Sequence, residues 1–119
     1  MTVKFNILKG LLGVIYNISD AEYQERIWVK GLGPECSNFD ETMCNFFDDY
    51  NAEEIVKNYK DYGISQKQYK VLLKFFNSLK GYSDNTPEIV NDKEVLEDPE
   101  WAKIRKIAKE VLETFDYKK

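Results

Sequence analysis

The stretch that decides the fold is residues 31–56, GLGPECSNFDETMCNFFDDYNAEEIV. Within it Phe39, Met43, Phe46, Phe47 and Tyr50 recur at i, i+4, i+7, i+8 and i+11, which lays large apolar side chains along one stripe of an α-helix. A loop, GLGPE, comes first. Gly31 and Gly33 stop the preceding helix and Pro34 keeps it stopped. Ser37 followed by Asp40 reads as a near capping box that opens the new helix. The same stretch holds seven carboxylates, Glu35, Asp40, Glu41, Asp48, Asp49, Glu53 and Glu54, and no Lys or Arg. At roughly 100° per residue Glu41 and Asp48 project opposite the ladder, with Asp40 and Asp49 flanking it. Asp40 and Glu41 suit the positive end of the helix dipole, whereas Asp48 and Asp49 oppose its negative end. A local inconsistency of this kind is modestly enriched at functional surfaces.

Outward toward the N-terminus, residues 3–18 place Ile7, Leu8, Leu11, Leu12, Val14, Ile15 and Ile18 largely on one helical face. Gly10 and Gly13 each cost about 1 kcal/mol relative to Ala in a helix. They either admit a close neighbour or weaken the helix. Ser19 or Asp20 caps a second helix, with Tyr23 and Ile27 inward, Trp28 at the edge of that face, and Arg26 and Lys30 outward.

Outward toward the C-terminus, Asn51 is expected to cap a fourth helix over 52–62, with Ile55, Val56, Tyr59 and Tyr62 inward and Gly63 ending it. Ser65 caps a fifth over 66–80, with Tyr69, Leu72, Leu73, Phe76 and Leu79 inward, Lys67, Lys70 and Lys74 outward, and Gly81 as its stop. Residues 82–98 read as a connection containing one helical turn near 93–96, long enough to be weighed as a binding loop. The last helix opens with Asp98 as N-cap and Pro99 at N1. Its buried stripe is Trp101, Ile104, Ala108, Val111, Leu112 and Phe115, while Lys103, Arg105, Lys106, Lys109 and Glu110 face water. No segment alternates cleanly enough for a strand. The expectation is all-α, a single compact bundle of five to six helices forming one domain over 1–119.

Composition narrows the function. A net charge of −4 disfavours nucleic acid and anionic membrane as direct partners, because both attract basic surfaces. Cys36 and Cys44 are too few for a disulfide framework and read as free thiols of a cytoplasmic protein. The apolar start is interrupted by Asn6, Lys9 and Asn17, lacks a cleavage pattern, and is too short to span a bilayer.

The chain contains no histidine. That removes the usual general base, the Ser-His-Asp and Cys-His arrangements, and most transition-metal sites. No Walker, dinucleotide or EF-hand pattern is present. The adjacent pairs Asp48-Asp49 and Glu53-Glu54 read as solvated surface rather than a glycosidase pair. Cys36 precedes a helix N-terminus but has no base beside it. No catalytic residue, cofactor or metal is expected, and the chain is not read as an enzyme.

Binding is the better reading. The seven carboxylates form a docking face for a basic protein, with Trp28 and Tyr50 as exposed aromatic anchors within the acidic rim. The plainer alternative is the wet side of a helix, kept soluble by charge. The segments RIWVKGLGPECSNFDETMCNFFDDY (26–50) and DPEWAKIRKIAKEVLETF (98–115) resemble small all-α immunity proteins of contact-dependent growth inhibition and related polymorphic toxin systems. The resemblance covers about a third of the chain. It implies a cytoplasmic protein that binds a cognate toxin domain, often a nuclease, and blocks it. It carries no binding residues with it, so the site residues rest on charge alone. A monomer is expected. The alternatives are a phage- or plasmid-borne inhibitor that mimics nucleic acid and a small helical regulatory interaction domain.

Overall fold

The computed structural model describes residues 3–32, 37–86 and 91–117. Every regular element among them is helical. The first helix, α1 (Val3–Ser19), buries Leu8, Leu11, Leu12, Ile15 and Ile18. The Asp20 carboxylate accepts the Tyr23 N–H at 3.1 Å and so caps α2 (Ala21–Tyr23). That helix continues as a wider π-helical turn over Gln24–Val29, in which Lys30 N–H reaches back to Glu25 O at 3.0 Å. Gly31 adopts φ +63° and Leu32 N–H bonds to Arg26 O at 2.9 Å, which closes the helix end.

The decisive helix, α3 (Phe39–Cys44), starts one residue later than the sequence suggests. Asn38, not Ser37, is the cap: its side chain accepts the Glu41 N–H at 2.7 Å. The Ser37 hydroxyl instead lies 3.4 Å from that of Thr42. A second π turn follows over Asn45–Asp49, closed by Tyr50 N–H on Asn45 O at 3.0 Å. Asn51 then takes the left-handed conformation at φ +48° and makes no side-chain cap, contrary to expectation. Its contribution is the turn itself, which Asn tolerates better than most residues. Beyond it come α4 (Ala52–Lys57), a 3₁₀ turn over Tyr59–Tyr62, and Gly63 at φ +72°.

Ser65 opens α5 (Gln66–Asp84) with a full capping box: its Oγ accepts Gln68 N–H at 3.1 Å, and Gln68 Oε1 accepts Ser65 N–H at 2.9 Å. The helix runs through Gly81 rather than stopping there. Continuing it seats Tyr82 against Trp101 and Phe39, with ring centroids 5.3 and 5.9 Å away, and lets its hydroxyl donate to Asp98 at 2.8 Å. Those contacts outweigh the roughly 1 kcal/mol helix penalty of one glycine. Among the described residues of the stretch read as a connection over 82–98, 82–84 belong to α5, and the expected helical turn is α6 (Asp92–Glu97), capped by Asn91. Asp98 and Pro99 start α7 (Pro99–Thr114) as the sequence indicates.

The helices pack into an all-α bundle around one contiguous cluster of buried side chains. Antiparallel α5 and α7 form its longest contact, with Lys74 reaching Glu110 at 3.5 Å. Phe75, unnamed in the sequence reading, is fully buried, while its neighbour Phe76 is half-buried. Two internal locks hold α1 to the rest. Gln24 is completely buried; its amide donates to Asn17 O and Ile18 O at 2.8 and 2.7 Å and accepts from Trp101 Nε1 at 2.9 Å. At Gly10 the ring of Tyr50 comes so close that an added Cβ would stand 2.4 Å from a ring carbon. That glycine is a docking notch for an aromatic ring.

Candidate docking surface

The fold divides the expected acidic face. Glu35 and Cys36 lie outside the described residues. Asp40, Glu41, Asp48, Asp49, Glu53 and Glu54 are all exposed. Asp40 and Glu41 sit at the first turn of α3, held there by the Asn38 cap and by Asp92, whose carboxylate accepts Phe39 N–H at 2.9 Å. Glu41 borders a polar recess with Asn17 and Tyr23 on the α1–α2 side. Asp48 lies on the other side, where α5 passes. A straight α-helix would put residues 41 and 48 nearly in line. The π turn between them lowers the rotation per residue and swings Asp48 toward α5.

The remaining acids differ in how free they are. Glu53 pairs with Lys57 at 3.8 Å in a solvent-exposed bridge, a kind worth about 0–1 kcal/mol. Glu54 is engaged inside the fold, accepting the Tyr62 hydroxyl at 2.6 Å. That hydrogen bond, then burial and the nearby charges of Glu54 and Asp61, push the Tyr62 phenol up to about 12. Glu54 is a brace for the 3₁₀ turn rather than an open contact.

Of the two expected aromatic anchors, Trp28 is not on the surface and Tyr50 keeps only part of its own there. Trp28 is buried, 6.0 Å from the Trp101 ring and 6.3 Å from Phe39. The π turn carries it inward, and its partners come from α3 and α7, beyond the reach of local pattern. Tyr50 is half-buried against Gly10. Arg105, read as facing water, is half-buried as well, and its desolvation lowers the guanidinium pKa.

The structure adds what the sequence reading left out. Asp84, at the end of α5, joins Asp48 and Glu53 around a cleft of about 330 Å³ floored by Phe47 and Phe76. Taking Gly81 as a stop hid it, since Asp84 lies on the turn beyond. The opposite charge is segregated too: residues 66–80 carry four lysines and no carboxylate. Lys67, Lys70 and Lys74 border the groove toward α7, whereas Lys80 lies beside the acidic cleft.

A larger cleft, about 670 Å³, lies between the end of α5, α6 and α7, with Val95, Ile104 and Ile107 among its lining. Its size suits a small molecule, but much of its polar rim is already engaged. Asn85 donates to Gly81 O, Asn91 caps α6, and Asp98 both caps α7 and accepts from Tyr82. Burial and the Asp98 hydrogen bond raise the Tyr82 pKa, so the phenol stays protonated and is no base. Among the described residues no group of three or more acidic or cysteine side chains could hold a metal ion. None of their helices is long and apolar enough to cross a membrane. Comparison with known proteins adds no relative: no protein-family model matches the chain, and neither does a curated protein or a solved structure.

Proposed function

We propose that this protein is an immunity-type inhibitor that acts in the cytoplasm by binding a cognate toxin domain, a basic nuclease, through the exposed carboxylates of α3 and of the π turn that follows it. The observation carrying the reading is the set of exposed carboxylates at Asp40, Glu41, Asp48 and Asp49, from a stretch of 26 residues without Lys or Arg. A single-signed folded surface raises the encounter rate with an oppositely charged cleft and disfavours wrong partners. With Trp28 withdrawn into the core and Tyr50 half-buried against Gly10, charge and shape have to supply most of the anchoring that the two aromatics were expected to provide. The absence of histidine from the chain supports binding over catalysis.

The test is charge reversal of Asp40, Glu41, Asp48 and Asp49 to Lys, leaving Glu54 in place because it holds Tyr62. The variant should keep the helical circular dichroism of the parent. Its affinity for the purified toxin should fall by about 100-fold or more, since close charge pairs in tight inhibitor complexes couple by about 1.5–7 kcal/mol each. Nuclease activity should return in parallel. Undiminished affinity in the reversed variant would remove the acidic face from the mechanism.

A further inference from the structure

We infer that the cleft between the end of α3, α4 and the C-terminal half of α5 seats an arginine side chain of the partner protein; this rests on the acidic-face reading and names its anchor. Three elements build the cleft, each contributing one exposed carboxylate: Asp48 after α3, Glu53 from α4 and Asp84 from α5. Phe47 and Phe76 supply the floor, their rings 5.7 Å apart and nearly perpendicular. Both rings are only half-buried, so they keep open surface. At about 330 Å³ the space suits one long side chain rather than a peptide segment.

The charge inside is unbalanced. Three carboxylates face a single lining cation, Lys80, which lies 3.3 Å from Asp84. Lys57 approaches Glu53 from outside at 3.8 Å. Asp48 has no cation within salt-bridge distance among the described residues. Asp84 is thus paired along its own helix, and Asp48 is left as an open acidic position. The carboxylates do not converge closely enough to form a metal-binding group, which favours an extended organic cation. Guanidinium fits better than ammonium for three reasons: it is planar, it stacks on aromatic faces, and it is less strongly hydrated. Its fork can also address acids from two elements at once.

The probe is the capped tripeptide Gly-Arg-Gly, titrated into the isotope-labelled full chain and followed by backbone amide shifts. Gly-Lys-Gly and Gly-citrulline-Gly serve as comparisons. Saturable shifts confined to residues 47–53 and 76–84 are expected, with the arginine peptide about 3-fold tighter than the lysine one and citrulline inert. Phe76→Leu, which keeps every carboxylate, should weaken the arginine peptide about 3-fold. Lys80→Gln frees Asp84 and should tighten binding about 3-fold, whereas Lys93→Gln, the same charge change on α6, should do nothing. Because Lys80 is exposed, its variant reports on the cleft even where Phe76→Leu perturbs packing.

Shifts spread equally over Asp40 and Glu41, equal affinity for the lysine peptide, or no response to Lys80→Gln would each overturn the arginine seat. Such a result alongside a charge-reversed protein that still loses its toxin leaves the acidic face standing. A charge-reversed protein that keeps its toxin removes the face itself.

Discussion

Replacing Gln24 by Leu should be among the most damaging single substitutions in this protein, although the two side chains are similar in size. Gln24 has no solvent exposure and makes three hydrogen bonds through one amide. Two of them, to Ile18 O at 2.7 Å and from Trp101 Nε1 at 2.9 Å, are fully buried; the third, to Asn17 O at 2.8 Å, is partly so. Leucine strands a buried indole N–H and a buried carbonyl, each costing about 1–3 kcal/mol. The third bond adds less, because water can reach Asn17 O. Apolar transfer returns some of the loss, leaving about 3 kcal/mol net. Urea denaturation should show a lower midpoint at constant slope. A double-mutant cycle with Trp101→Phe isolates the pair: the combined cost should fall short of the sum by about 1–2 kcal/mol, because phenylalanine leaves no donor to strand. A single-mutant cost below about 1 kcal/mol, or strict additivity in the cycle, would refute the claim that this amide joins α1, α2 and α7.

Two further predictions concern the packing of α1 and the 3₁₀ turn. Gly10→Ala gains about 1 kcal/mol of helix propensity but drives a methyl into the Tyr50 ring, a clash of about 1–3 kcal/mol. The substitution should therefore destabilise the parent and stabilise a Tyr50→Ala background; thermal melts showing the same sign in both would reject the notch. Tyr62 has a folded pKa of about 12 against 10.0 for the free phenol, so its contribution is complete below pH 10 and is lost as pH rises toward 12. Alkaline unfolding, followed by tyrosinate absorbance and circular dichroism, should shift with Tyr62→Phe; an identical profile would show that the Glu54 bond is not formed in solution.

Legibility in the sequence followed the range of the interaction. Asp98-Pro99 and the Ser65 cap were readable because each is complete within four residues, though the return bond to Gln68 came only with the structure. The apolar stripes of α1 and α7 were readable because burial repeats with the helix, whereas that of α5 is turned onto Phe75 with Phe76 only half-buried. Ser37 and Asn38 are adjacent cap formers, and only the backbone angles select the second. Gly81 looked like a stop because the contacts that carry the helix past it come from Phe39, Asp98 and Trp101. Burial of Trp28 depends on the same remote rings, so the local pattern leaves it at the edge of the inner face and open to being read as an exposed anchor. The acidic residues were all visible, but not their division between two sides of α3 or the recruitment of Asp84.

Both π turns end the helix in which they occur, and each is one residue longer than the α-helical repeat allows. A surplus residue of this kind marks where a chain tolerates a change of length. Deleting residue 48 would remove that surplus and let α3 close as an ordinary helix, with the change of rotation taken up inside the turn. Phe39 and Met43 would keep their places in the core, while the side chain beside α5 would no longer be Asp48. A change of length at the exposed end of this turn re-aims the acidic side chains while the buried Phe46 before them stays seated, so binding specificity can diverge by changes in length as well as by substitution.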